Sequence, residues 1–370
     1  MLVAKRLILS AIAALVCGAV ITQAAAAAPL SLAADREFYV GGHYVHDDKG
    51  DTMIGQMYVR EFVPLHATQR FPIVMIHGGG QTSVNYTATP DGRDGWAQYF
   101  VRGGYTVYVV DRPSHGKAGY FPGSYSPTAG GTAKVIEDRF TAPEKANPLP
   151  YPQARLHTQW PGTGLAGDRV FDQFFASQVE NIPFAEDEAL AVPAGVALLD
   201  RIGPAIVLDH SLGGGPGWAI ADARPALVKA IIAMEPSPQP ATNNLARGPY
   251  GISYTPLTFR PALTSPSDLV HEDETTPQAP GLGLCWKQAE PARQLPNLQK
   301  IPIAVMVGEA SFLTPFEHCT SQFLTQAGVH NDFIRLADHG LHGNAHMMML
   351  EKNSNKIAAF IAAWLRSKGV

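Results

Sequence analysis

Residues 207–215 read Val207-Leu208-Asp209-His210-Ser211-Leu212-Gly213-Gly214-Gly215, an apolar run that breaks on a serine and continues into glycines and a helix-like apolar stretch. A chain written this way lifts one hydroxyl onto a sharp strand-to-helix turn. Such a turn needs small residues two before and two after the serine, so that strand and helix can pass closely. Gly213 meets the requirement, whereas Asp209 stands where the first glycine of G-x-S-x-G belongs. A short match of this kind also arises by chance, and a serine at a helix start serves equally as an N-cap. The rest of the chain has to decide.

Working outward, Phe38–Val45 and Thr52–Val63 alternate as antiparallel opening strands do, and the apolar run Ile73–Ile76 delivers His77-Gly78-Gly79-Gly80. A helix over Trp96–Arg102 stops at Gly103-Gly104, and a strand over Thr106–Val110 ends at Asp111-Arg112-Pro113. The rhythm lapses from about 120 to 183, where Pro, Gly and aromatics accumulate. It returns with a helix over Phe184–Arg201, the strand Ala205–Leu208, a helix Gly214–Ala223 and the strand Val228–Met234 closing on Glu235. After a second irregular stretch, about 236–300, come the strand Ile301–Val307, a helix Phe316–Ala327, a strand Asp332–Leu336, a histidine-rich loop and a last helix from Glu351 to Arg366. Strands alternating with helices predict an α/β fold with a mostly parallel, doubly wound sheet, helices on both faces and two cap insertions. Active sites of such sheets lie beyond the carboxyl ends of the strands.

The N-terminus carries Lys5 and Arg6, an uncharged run from Leu7 to Ile21, then alanines from Ala24 to Ala28, the three-part layout of a secretory signal. Its apolar run of about 15 residues is shorter than the roughly 20 a membrane span needs. Residues 1 to about 26 are therefore set apart, and the remaining chain, 27–370, is expected outside the cytoplasm, secreted or periplasmic, with no stable membrane insertion. Val16 is too bulky before Cys17 for a lipoprotein acceptor. Loss of Lys5 and Arg6 takes the formal charge from −4 to about −6, which argues against nucleic acid as a partner. Cys285 and Cys319 remain as two thiols that an oxidising compartment permits to pair or to stay buried and free. No metal-ligand spacing surrounds them, and oligomeric state is not written in the sequence.

As a nucleophile, Ser211 needs a base within hydrogen-bond reach and a carboxylate to orient that base. The glycines after His77 let backbone N–H groups face a developing negative charge, with the amides of Gly79 and Leu212 as the expected donors. A glycine loop in such a sheet also cradles phosphate, but this one lacks the Lys-Ser/Thr ending of a P-loop and the spacing of a dinucleotide fingerprint. The base is expected late in the chain. Among His339, His342 and His346, the last leads into the final helix and is preferred, with His342 next; His115 and His210 read as structural or pocket-lining. In the commonest arrangement the acid is an Asp just after the strand here at 301–307, yet Ser311 falls at that point of Gly308-Glu309-Ala310-Ser311. Glu235, ending the strand after the serine helix, is the favoured acid, Glu309 the alternative; a solvated loop carboxylate or an Arg partner is the plain reading of Glu235. Trp160, Phe174 and Phe175 in the first insertion are candidates for an apolar substrate pocket, or for core.

With these pieces in order, the chain resembles the α/β-hydrolase superfamily over most of residues 60–370, and more narrowly the secreted bacterial esterases of the "seven-thirteen" type, whose acid is a Glu after the sixth strand. The resemblance rests on His77-Gly78-Gly79-Gly80, His210-Ser211-Leu212-Gly213, Met234-Glu235-Pro236 and Gly343-Asn344-Ala345-His346-Met347-Met348-Met349-Leu350-Glu351, with Thr158-Gln159-Trp160-Pro161-Gly162 and Asp172-Gln173-Phe174-Phe175 beside them. The chain departs from that group in carrying glycines where those esterases have an adjacent cysteine pair, and in Asp209. What the resemblance implies is a secreted serine hydrolase of small, hydrophobic esters or lactones, working without a cofactor through an acyl-enzyme on Ser211. An amidase or peptidase uses the same groups, a binding protein with a disabled site is the alternative from another class, and Ser in place of Asp disfavours dehalogenase chemistry.

Overall fold

Eight strands build one sheet: β1 (Leu32–Asp47), β2 (Gly50–Pro64), β3 (Ile73–Ile76), β4 (Val107–Asp111), β5 (Ala205–His210), β6 (Val228–Met234), β7 (Ile303–Val307) and β8 (Asp332–Arg335). Their order is β1-β2-β4-β3-β5-β6-β7-β8; β1 and β2 form an antiparallel hairpin that joins β4 antiparallel, and every pairing from β4 to β8 is parallel. This is the mostly parallel sheet that the sequence predicts. The computed structural model describes residues 29–48, 50–242 and 248–370, so the export segment expected over residues 1–26 lies outside the described residues. Among those described, no helix is long and apolar enough to cross a membrane.

Each central strand is buried on both faces, which is why its sequence is a continuous apolar run and not an alternating one. Successive side chains enter two different cores. Ile73 and Met75 of β3 join Trp96 and Phe100 on one side, while Val74 and Ile76 join Trp218 and Leu198 on the other. The first core is closed by α1 (Trp96–Arg102), by α2 (Arg169–Ala176) of the first insertion and by α6 (Ser354–Ser367); the second by α3 (Phe184–Ile202), α4 (Gly214–Ala223) and α5 (Glu317–Gln326).

Local chemistry moves several boundaries. The strand expected from Ile301 begins at Ile303, because Pro302 has no N–H for the ladder. The first insertion holds an amphipathic helix, α2, that a short Pro-rich context hides; Asp168 caps it by accepting from the amides of Val170 and Phe171. A two-stranded hairpin, His271–Asp273 with Trp286–Gln288, lies in the second insertion. For function the decisive feature is adjacency. β3, β5, β6 and β7 are consecutive neighbours, so the turns after them share one edge of the sheet.

Candidate active site

Ser211 follows the last residue of β5 with φ +54°, a left-handed conformation that costs a non-glycine residue about 1–3 kcal/mol. Its surroundings hold it there. Ser237 N donates to its carbonyl at 2.7 Å. A Cβ on Gly213 would meet the carbonyl of His77 at 2.7 Å, and one on Gly78 would meet Ser211 Cβ at 2.8 Å. The turn closes only because those side chains are missing. Asp209, the residue out of place in the motif, is fully buried and neither carboxyl oxygen has a hydrogen-bond partner. It fits because α4 carries Gly217 opposite, where a Cβ would lie 2.3 Å from Asp209 Oδ2. Burial raises this carboxyl well above the usual range, which favours its neutral form.

The glycine loop after β3 is pinned from outside itself. His77 Nδ1 donates to Gly78 O at 2.8 Å, and its Nε2 accepts from Arg112 N at 3.1 Å. Burial, with the Arg112 charge beside it, keeps this imidazole neutral. The Arg112 guanidinium donates to Gly78 O at 3.1 Å and pairs with Asp187, both side chains sealed from solvent. Gly80 N donates to Asn181 Oδ1 at 2.6 Å. Gly79 lies against the elbow, where its Cβ would come 2.3 Å from Leu212 Cδ1. Among the described residues no acceptor takes the Gly79 amide. Sequence reasoning missed Arg112, Asp187 and Asn181, which carry no local motif.

Glu235 follows β6 directly, also at positive φ (+48°). Its Oε1 accepts from Gly308 N at 2.8 Å, and its Oε2 accepts from Ser311 Oγ at 2.5 Å and from His346 Nδ1 at 2.5 Å. Glu235 and His346 are buried. Burial raises the Glu235 carboxyl to about 7, against the hydrogen bonds from Ser311 and Gly308. It pushes the His346 imidazole down to about 3, helped by the Arg139 charge. The His346 imidazole is therefore unprotonated at neutral pH. Its loop is fixed by Glu351, which accepts from Ala345 N at 2.9 Å, Asn344 Nδ2 at 2.5 Å and the His157 ring at 2.9 Å. The rings of His210, Phe312 and Phe140 lie 4.4, 4.9 and 5.2 Å from that of His346.

Among the described residues the Ser211 hydroxyl makes no hydrogen bond to His346; the neighbour of Ser211 in the chain, His210, donates from Nε2 to His346 O at 3.0 Å. The alternatives pair with each other instead: His342 Nδ1 lies 3.3 Å from Glu309, whose carboxylate also takes Gly343 N at 2.8 Å, with the His342 side chain 64% exposed. His339 packs on Phe360. None of these three meets Ser211.

A cavity of about 480 Å³ opens over Ser211, walled by Leu212, Ile136, Phe140, Val179, Phe312 and Phe316 among others. Trp160, Phe174 and Phe175, the expected pocket aromatics, are not among its lining. Trp160 and Phe174 meet edge to face at 5.3 Å within the core, and Phe175 stacks on Phe171, because α2 turns its apolar stripe inward. Cys285 and Cys319 form a disulfide. His318, whose place directly before Cys319 the spacing argument overlooked, brings its Nε2 within 3.1 Å of Cys285 Sγ, yet the joined sulfurs offer no thiolate.

A hydroxyl on a strained turn and a neutral imidazole held by a buried carboxylate are parts that nucleophilic acyl transfer uses. No family model matches the chain. It is 43% identical over 347 residues to the "Probable secreted lipase phiG" of a Fungal sp. (strain ATCC 74256), a match spanning 90% of this chain and 89% of that one. Among solved structures it is similar to a novel bacterial esterase, with a TM-score of 0.63 and 22% identity over 93% of this chain and 98% of the other. At that identity the likeness shows the fold alone.

Proposed function

The chain belongs to the α/β-hydrolase superfamily, among its secreted ester hydrolases, and on that premise we propose that it is a serine carboxylesterase working through an acyl-enzyme. Residues 1–26 are on this reading its export signal. Ser211 Oγ attacks the ester carbonyl while His346 Nε2 takes its proton, and the amides of Gly79 and Leu212 hold the oxyanion. Collapse of the tetrahedral intermediate breaks the C–O bond, and the alcohol leaves with the proton from His346. Water, deprotonated by the same nitrogen, then hydrolyses the acyl-enzyme. Throughout, Glu235 fixes the Nδ1–H tautomer and stabilises the imidazolium. A lactone, as a cyclic ester, follows the same steps.

The observation that supports this most is the chain of hydrogen bonds from Ser311 and His346 onto Glu235, beside a serine held at positive φ. In the resting state the serine–imidazole bond is open, as apo sites often are, and the reading has substrate close it. The test is labelling with a fluorophosphonate probe. The parent protein is expected to label on the Ser211 peptide and Ser211→Ala not at all; equal labelling of both would refute the nucleophile.

A further inference from the structure

Arg139 is the only charged side chain among the residues lining the cavity over Ser211. The acids closest to it in sequence are engaged elsewhere: Asp138 pairs with Lys134, and Glu137 accepts from Ala166 N at 2.8 Å. Among the described residues Arg139 has no hydrogen-bond or ion-pair partner, and it is exposed while lining the cavity. Its guanidinium sits 5.5 Å from the centre of the Phe312 ring, and Phe312 and Phe140 are two of the three rings packed against His346. The cation thus lies one ring, that of Phe312, from His346, over walls that are otherwise mostly apolar. The chain as a whole carries a formal charge of −4, so an anion finds little attraction except at such a point.

We infer that the substrate is an ester that itself carries a carboxylate, as a half-ester of a dicarboxylic acid does, and that Arg139 receives that carboxylate while the scissile carbonyl lies at Ser211. A planar guanidinium matches a carboxylate with two parallel N–H···O bonds, which a lysine cannot reproduce. The apolar walls then contact the methylenes between the two groups. This inference rests on the serine esterase reading and narrows its substrate class.

The experiment compares kcat/KM for the monomethyl and dimethyl esters of one aliphatic dicarboxylic acid, such as glutaric acid, in the parent, Arg139→Gln and Arg139→Lys. The half-ester to diester ratio is read because effects on the shared chemistry cancel in it. The parent is expected to favour the half-ester by at least about tenfold. Arg139→Gln should lower the ratio about 10- to 100-fold, the size of a charge-assisted pair, and Arg139→Lys should fall between. Added salt should shrink the parent's preference and leave that of Arg139→Gln unmoved. A parent ratio of one or below, or the same ratio in Arg139→Gln, overturns the inference. If the parent hydrolyses neither ester and takes no fluorophosphonate label, the esterase reading fails and this one with it; labelling without preference sinks only the carboxylate.

Discussion

Ser311 occupies the turn after β7 where the commonest arrangement of such sheets carries its acid, and here its hydroxyl donates to Glu235, the acid of the proposed mechanism, after β6. On the proposed mechanism the position keeps a role in orienting His346, now at one remove. Because that hydrogen bond favours the ionised carboxyl, it offsets part of the burial that raises Glu235 to about 7. On the proposed mechanism Glu235 must be ionised to support the imidazolium, so kcat/KM should climb through about pH 7 and then level. His346, held near 3, adds no protonation step in that range. Ser311→Ala removes a donor from the carboxylate and should move the climb about one unit upward, one unit being the size of a modest charged hydrogen bond. A pH–rate profile measured on both proteins decides it: an unmoved limb at unchanged Tm would mean that Ser311 only fills space.

At the scale of the element, α4 packs against β5 more closely than side chains ordinarily allow, and the contact of Gly217 with Asp209 is where the motif's missing glycine is compensated. Gly217→Ala would drive a Cβ into the Asp209 carboxyl, and overpacking of this kind costs about 1–3 kcal/mol. In denaturant unfolding, Asp209→Gly should recover most of that loss in the double variant, a coupling that distant sites lack. Additive losses would show that the two do not share the space. The strands of the main sheet and the helices outside the two insertions were legible in the sequence, since apolar runs, Gly-Gly stops and turn chemistry are local signals. So was the pairing of Glu235 with His346, which follows from strand order once the sheet is parallel. Arg112, Asp187 and Asn181 were not legible, because their bonds to the glycine loop join segments that only the tertiary fold makes neighbours. Trp160 and Phe174 misled for the converse reason: an aromatic in a cap looks the same whether its helix faces the cavity or the core.

For the whole molecule, buried titratable groups set how stability follows pH. Asp209, Glu235 and Glu317 have folded pKa values above their unfolded ones, so the stability they bring is complete at low pH and is lost as pH rises, for Glu235 from 4.5 to about 7. His157, clasped by Glu144 and Glu351 and raised to about 9, loses its contribution as pH rises from 6.5 through that value. His77, His210 and His346 are lowered, so theirs is present above 6.5 and lost as pH falls. Between about 4.5 and 6.5 the two sets oppose each other; above 6.5 only losses with rising pH remain. Calorimetry should therefore find the highest Tm between about pH 5 and 6.5 and a decline toward pH 9, over a range where activity increases. A Tm that rises from pH 6.5 to 8.5 would contradict this. The central claim is that one sheet edge assembles Ser211, His346 and Glu235 into a working unit, and it is tested most directly by kcat for Glu235→Gln beside Glu309→Gln on one neutral ester. The account predicts a loss of about 10³- to 10⁴-fold for the first, as in other triads, and little change for the second; a crippled Glu309→Gln with an active Glu235→Gln would contradict it.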